Sequence, residues 1–378
     1  MSNSAEQIKN GLGGAILTKP RSSNLELYRI ICMFMIVAHH YVVNSGVTAA
    51  DGPMMADAPT AMNSLFLLLF GAWGKTGINC FMMITGYFMC TSKITFRKFL
   101  KLLAQIYLYK IVIFTIFLCV GYESFNPMRV IKLLMPFWGF QYDFISCFIV
   151  FYLTIPFWTI LVQNMTKREH ELLLILLFGC YTFLGSIPTF KITYNYISWF
   201  GVIFLIASYI RLYPVKLFGR KALWGWLTLA SVAFSSLGIV LLQKKLGAGM
   251  FFMSDCNKLS AVSVAVTSFL WFKNMNIKYS KVINAFGAAT FGVLLIHANS
   301  NAMRQWLWKD TLDVVGHYTL PIGGLVLYSF GVVLAVFIIC NLIDQLRIAT
   351  VEKWFLNWYD KKVSAKADAL VNKILQKQ

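Results

Sequence analysis

The sequence predicts an all-α fold, a polytopic transmembrane helix bundle of about ten spans with both termini cytoplasmic. Three observations carry this. Of the 378 residues 58% are hydrophobic and only 13% charged, where soluble domains carry roughly 25% charged residues. Apolar stretches close to the roughly 20 residues a bilayer requires recur from end to end. The basic residues fall mainly into alternate loops, as the positive-inside rule produces.

In chain order the spans run approximately from Ile30 to Gly46, Leu65 to Cys90, Leu102 to Val120, Phe144 to Val162, Leu172 to Ile187, Tyr196 to Ile210, Leu223 to Leu242, Leu259 to Phe272, Val282 to Ala298 and Leu320 to Ile343. The second is long, and Gly71, Gly74, Lys75 and Gly77 mark its first part as interfacial or broken. The eighth is short. About 25 polar residues precede the first apolar run and no small-residue cleavage motif follows it, so this run is a true span rather than a signal peptide.

With the N-terminus inside, the inner pieces hold Lys19, Arg21 and Arg29; Lys93, Arg97, Lys98 and Lys101; Lys167 and Arg168; Arg211, Lys216, Arg220 and Lys221; Lys273, Lys278 and Lys281; and the tail. That collects roughly 24 of the 34 basic residues on one side. The formal charge of +19 therefore reports orientation. Its cations are dispersed over short loops rather than gathered on one periodic face, which argues against nucleic acid as a partner. Residues 1–29 form a cytoplasmic segment and 30–345 a single transmembrane domain. In 346–378, Trp354, Phe355, Trp358 and Tyr359 mix with lysines, as in an amphipathic helix resting on membrane lipid. The 8 cysteines are scattered through apolar segments without CxxC or Cys/His spacing, so no metal site is expected.

The first span, RIICMFMIVAHHYVVNSG, carries Arg29 and His40. Eleven residues make almost three helical turns, so the two side chains share a face, offset by about 20° and separated by roughly 16 Å of rise. His39 is offset by about 80° and misses that face. An ionisable pair within a span needs a function. Histidine exchanges protons near neutrality, whereas arginine stays charged and suits anions such as phosphate, so the spacing points to a base and an anchor. Glu26, one turn before Arg29, is placed to orient it as an ion pair. The outer loops, Thr48 to Ser64 with Asp51 and Asp57, and Arg304 to Tyr318 with Asp310, Asp313 and His317, face an extracytoplasmic substrate. His170 and His317 have no assigned role.

Arg29, ten intervening residues and His40, with the lead-in NLELYR, are followed by NCFMMITGYFM (Asn79 to Met89), FRKFLK, YDFISCFIVFYLTIPF from Tyr142 and AATFGVLLIHANSNAMRQWLW from Ala288. Together these strings resemble the acyltransferase 3 family over roughly Asn24 to Asp344. The resemblance implies an integral membrane O-acyltransferase of the bacterial plasma membrane that moves acetyl from acetyl-CoA, its co-substrate, to a hydroxyl of a cell-surface polysaccharide such as an exopolysaccharide, or of its lipid-linked precursor. It implies His40 as the catalytic base, Arg29 as a catalytic and donor-binding residue, and partner glycan-assembly proteins. It also implies coenzyme A phosphates near Arg97, Lys98 and Lys101, where the family often shows two arginines separated by two residues and this chain has a mixed Arg/Lys version, the other reading of these cations being ordinary cytoplasmic anchoring charge. Thr85 stands where the family usually has serine, and serves as an oxyanion donor or in packing. Gly86 serves the site or close helix approach. His297 ends the ninth span, where it meets acceptor or is a satisfied interfacial histidine.

A rival of another class is a proton-coupled secondary transporter or flippase for a glycan or small molecule, with His40 as its relay. Few intramembrane carboxylates and no paired halves speak against it. Acetyl and other acyl groups such as succinyl fit the sequence equally, as do direct transfer and an acyl-enzyme.

Overall fold

A computed structural model describes residues 22–57, 59–140 and 143–363, and among them there is no strand. Lys19, Arg21, Tyr142, most of the 1–29 segment and the tail past residue 363 lie outside the described residues. The helices are α1 (Ser23–Val43), α2 (Met62–Gly71), α3 (Gly74–Met89), α4 (Phe96–Cys119), α5 (Pro127–Leu134), α6 (Phe144–Asn164), α7 (Lys167–Leu177) and α8 (Tyr196–Leu212). They continue as α9 (Lys221–Leu246), α10 (Phe251–Ser254), α11 (Leu259–Lys273), α12 (Lys281–Ala288), α13 (Thr290–His297), α14 (Asn301–Gln305), α15 (Ile322–Arg347) and α16 (Lys353–Lys362).

Local chemistry sets the boundaries. Thr95, Asn126, Asp143, Asn195 and Ser280 each accept a backbone N–H from the first turn of the helix they precede, and Pro127 follows Asn126 at the first helical position. Thr166 and Glu169 form a reciprocal capping box at α7. Helix α9 stops at Gly247, whose φ of +62° is the left-handed conformation glycine adopts without penalty.

Hydrogen bonds between helix termini sort the bundle into two ends. At one end Asn24 donates to the carbonyls of Phe272 and Lys273, Gln163 to Cys90, Tyr213 to Met165 and Asn274 to Phe218. The basic loops Lys93 to Lys101, Arg211 to Lys221 and Lys273 to Lys281 all gather there. At the other end Asn63 donates to Tyr318 and Leu320, Gln243 to Pro59, Lys258 to Gly185 and Asn195 to Phe140. The positive-inside rule assigns the first, strongly basic end to the cytoplasm. Between the ends Leu327 (77% exposed), Phe234 (73%), Phe157 (72%) and Trp226 (71%) point outward. Apolar residues on that perimeter suit hydrocarbon, and the polar side chains turn inward.

Seven helical stretches are long and apolar enough to cross a membrane. An eighth is gained if Lys281–His297 and Asn301–Thr319, bent by 94°, count as one span. The remaining two of the ten expected spans fall on α8 and α11, apolar helices of 17 and 15 residues. At 1.5 Å per residue these reach roughly 25 and 23 Å against about 30 Å of hydrocarbon, so seven or eight spans are supported and the count of ten is not confirmed. Both are instead enclosed by neighbours: α8 packs on α3, α6 and α7, and α11 on α1, α3 and α9. The long second segment is broken, as its glycines imply, with α2 ending at Gly71 and α3 starting at Gly74.

Helix α1 is the hub. It packs against α2, α3, α11, α12, α13 and α15, with Met33, Ile36 and Val37 in one apolar core and Leu25, Tyr28 and Cys32 in another. Its lead-in pins it: Tyr28 Oη lies 2.7 Å from Ser268 Oγ, and its ring stacks on Phe272.

Candidate active site

Because Arg29, Met33, Ile36 and His40 repeat at helical spacing, α1 presents them along one side, and three of them line a cavity of about 390 Å³. Met33, Ile36, His39 and His40 form its α1 wall, Gly74, Lys75, Ile78 and Phe81 its α3 wall, and Phe291, Leu294 and Leu295 the α13 wall. Its remaining lining, including Lys132, Trp138, Asp143, Tyr196 and Arg304, comes from segments at the less basic end of the bundle. Arg29 sits one turn beyond Met33 toward the basic end, outside the lining.

His40 does not stand alone in this cavity. Its Nδ1 lies 2.9 Å from Nε2 of His297, which ends α13 and is fully buried. The other ring nitrogen of His297, Nδ1, is 2.6 Å from the Val293 carbonyl. A carbonyl only accepts, so His297 Nδ1 carries hydrogen and, in the neutral ring, Nε2 holds a lone pair. His40 Nδ1 must then be the donor to it. That fixes the tautomer of His40 and leaves its Nε2 as the basic nitrogen. Trp308 packs edge-on to His297 at 6.3 Å and backs the pair.

His39 is held elsewhere. Its Nδ1 lies 2.7 Å from the Gly71 carbonyl at the break between α2 and α3. Its ring packs so closely on Gly74 that any Cβ there would overlap the imidazole. His39 thus secures the break that brings α3, and with it Lys75, to the cavity. Lys75 Nζ donates to Tyr196 Oη at 2.9 Å.

At the opposite end of the same face, the Arg29 guanidinium lies 3.9 Å from the Glu26 carboxylate, which is itself buried against α12 at Gly287. An imidazole of fixed tautomer has the chemistry of a general base, and a guanidinium three turns away on the same helix face that of an anion anchor.

A family model for an acyltransferase domain, acyltransferase 3, matches residues 22–341. The chain belongs to the acyltransferase 3 family. It is a multi-pass membrane acyltransferase. No curated protein and no solved structure matches it.

Within this acyltransferase 3 fold the other expected site residues are dispersed. Thr85 is not among the residues that line the His40 cavity: it lies one turn past Phe81 toward the basic end, and its hydroxyl donates to the Phe81 carbonyl. Gly86 is a packing position, with a Cβ there falling 2.9 Å from Cβ of Ala207 and 3.0 Å from Cα of Phe204 on α8. Arg97 makes a two-pronged pair with Asp360 of α16, each bond 2.8 Å. Lys101 pairs with Glu352 at 2.5 Å, and Lys98 donates to the Lys93 carbonyl. Two of the three cations expected at coenzyme A phosphates therefore hold the C-terminal helix. His170 is a fully buried packing residue, donating through Nε2 to the Leu205 carbonyl.

Sequence reasoning overlooked Lys110, Lys132, Asp143, Tyr196 and Arg304 as site residues. The signal was available for Lys110, a cation inside a span. The others sit in interhelical segments or helix ends, where only the fold reveals what they face.

Proposed function

We propose that this acyltransferase moves an acyl group, acetyl by family resemblance, from acyl-CoA to a hydroxyl of a surface glycan or its lipid-linked precursor. The observation that supports it most is the hydrogen bond from His40 to His297 in a cavity lined in large part from the less basic end. Acyl-CoA approaches from the basic, cytoplasmic end, with Arg29 meeting its phosphates or thioester and the slender pantetheine arm following Met33 and Ile36 toward His40. Arg97, Lys98 and Lys101 supplement Arg29 at the phosphates by exchanging Asp360 and Glu352 for the donor.

The acceptor enters from the opposite end. His40 Nε2 takes the hydroxyl proton as the oxygen attacks the thioester carbonyl. The imidazolium so formed keeps its Nδ1–H on His297. Lys75, in the same cavity wall, supplies positive charge to the tetrahedral oxyanion in place of Thr85. Collapse breaks the C–S bond, forms the ester, and returns the proton from His40 Nε2 to the coenzyme A thiolate.

The test uses full-length protein in nanodiscs, scoring coenzyme A release and acylated glycan together. His40→Ala and Arg29→Ala should each abolish both. Full activity of either variant removes that residue from the mechanism.

A further inference from the structure

The cavity lining carries four cations, Lys75, Lys110, Lys132 and Arg304, and a single carboxylate, Asp143. Asp143 is already engaged, its carboxylate accepting from the backbone N–H and the hydroxyl of Ser146 at 2.9 and 2.8 Å as it caps α6. Among the described residues none of the four cations lies within 4.0 Å of a carboxylate, the ion pairs all falling on other basic residues. Arg304 makes only long contacts, to Asn301 Oδ1 at 3.2 Å and to the Ala298 carbonyl at 3.4 Å, and its buried Nε has no hydrogen-bond partner. Lys75, Lys110 and Arg304 are half-buried and Lys132 is exposed at the rim, so the cavity gathers positive charge that no carboxylate pairs and that favours an anionic occupant.

These cations are also grouped. Lys110 and Arg304 both lie within electrostatic reach of Asp143, and Arg304 and Lys75 within reach of His40. Aromatic faces stand beside two of them: Lys132 Nζ is 5.2 Å from the Trp138 ring centre and Lys75 Nζ 5.6 Å from that of Tyr196. The anions of coenzyme A belong to the cytoplasm, whereas much of this cavity's lining comes from the less basic end of the bundle. The group it suits is one with an apolar ring face and a negative charge, which is the surface an acidic sugar presents.

We propose that the acceptor is an anionic glycan, its carboxylate or phosphate held by Arg304, Lys110 and Lys132 so that a neighbouring hydroxyl meets His40. This rests on the acyltransfer described above for its purpose but not for its measurement, because acceptor binding needs no donor. Trp138 offers the sugar ring its face, and the charge specifies which sugars enter. Lys75, held by Tyr196 Oη through one N–H, keeps its other two donors for the oxyanion.

The experiment is calorimetric titration of the full chain in nanodiscs of zwitterionic lipid, without acyl-CoA, using methyl glucuronide, glucose 6-phosphate and methyl glucoside. At least one of the two anionic sugars should bind about tenfold or more tightly than the neutral glycoside. Which of them does so separates carboxylate from phosphate. Lys132→Gln, at an exposed position where folding is not at stake, and Arg304→Gln should each weaken the anionic sugar about tenfold and leave the glycoside unchanged. Equal affinity for all three sugars, no binding of any, or anionic binding indifferent to both substitutions overturns the proposal. So does phosphatidylglycerol in the nanodisc displacing the anionic sugar completely, which assigns the cluster to lipid headgroups. His40→Ala should retain this binding, so a failure of the acyltransfer chemistry and a failure of anion recognition give different results.

Discussion

His297 Nε2 accepts a hydrogen bond from His40 Nδ1 at 2.9 Å, joining side chains 257 residues apart in the chain. In the proposed mechanism the bond makes His297 a positioning residue, because it holds the tautomer in which His40 Nε2 carries the lone pair. Removing it in His297→Ala should lower kcat about a hundredfold or more while KM for acyl-CoA changes little. His297→Gln, whose amide oxygen can accept from His40 Nδ1, should recover a substantial part of that loss. A structural role alone predicts parallel loss of folded protein and activity in both variants, so kcat per folded molecule decides between them.

His39 should behave oppositely. Its buried hydrogen bond to the Gly71 carbonyl holds the α2–α3 break, and losing it in His39→Ala should cost about 1–3 kcal/mol of stability. Activity per folded molecule should stay within about tenfold of the parent. Thermal unfolding in detergent, paired with the coenzyme A release assay, reads both quantities. A His39 variant of normal stability without activity would exchange the roles of the two histidines.

The sequence made much of this visible, and for physical reasons. The all-α membrane class followed from composition, and the Arg29 and His40 face followed from helical geometry, because both are properties of a single segment. The pairing of His40 with His297 was beyond it, since two helices far apart in the chain meet only through packing. Thr85, open from the sequence between packing and the site, donates its hydroxyl to an i−4 carbonyl within α3, a local bond that the sequence does not reveal. The span count is unconfirmed at α8 and α11, which are shorter than the other spans and are enclosed by neighbouring helices. The NLELYR lead-in proved to be largely anchoring, with Asn24 and Tyr28 fastening α1 to α11.

The pair formed by Arg97 and Asp360 offers a test of donor binding. Both side chains are about half exposed, so Asp360→Asn should leave thermal stability almost unchanged. It also releases the Arg97 guanidinium for phosphate. The KM for acyl-CoA should then fall about two- to tenfold at low salt, the effect shrinking as ionic strength rises. Steady-state kinetics at two salt concentrations measures this. An unchanged KM places Arg97 in the attachment of α16 and outside the donor site.

Asp344 should be the least replaceable carboxylate in the described bundle. It is fully buried, accepts from Tyr109 Oη at 2.8 Å and Gln105 Nε2 at 3.2 Å, and pairs with Arg347 Nε at 2.6 Å. Arg347 in turn reaches Glu352, which holds Lys101, so one chain of charges ties α4, α15 and the approach to α16 together. Gly292 lies against the same carboxyl, and a methyl group there would overlap it. Deleting the Asp344 carboxylate leaves the buried Tyr109 hydroxyl and Gln105 amide without their acceptor and Arg347 with Glu352 alone, and each buried group so stranded costs about 1–3 kcal/mol. Asp344→Ala should therefore unfold at markedly lower temperature, and Gly292→Ala should do the same by displacing the carboxylate. The double variant should lose less than the sum of the two, because both act on one group. Full additivity would mean that Gly292 and Asp344 stabilise the bundle independently, against the contact seen between them.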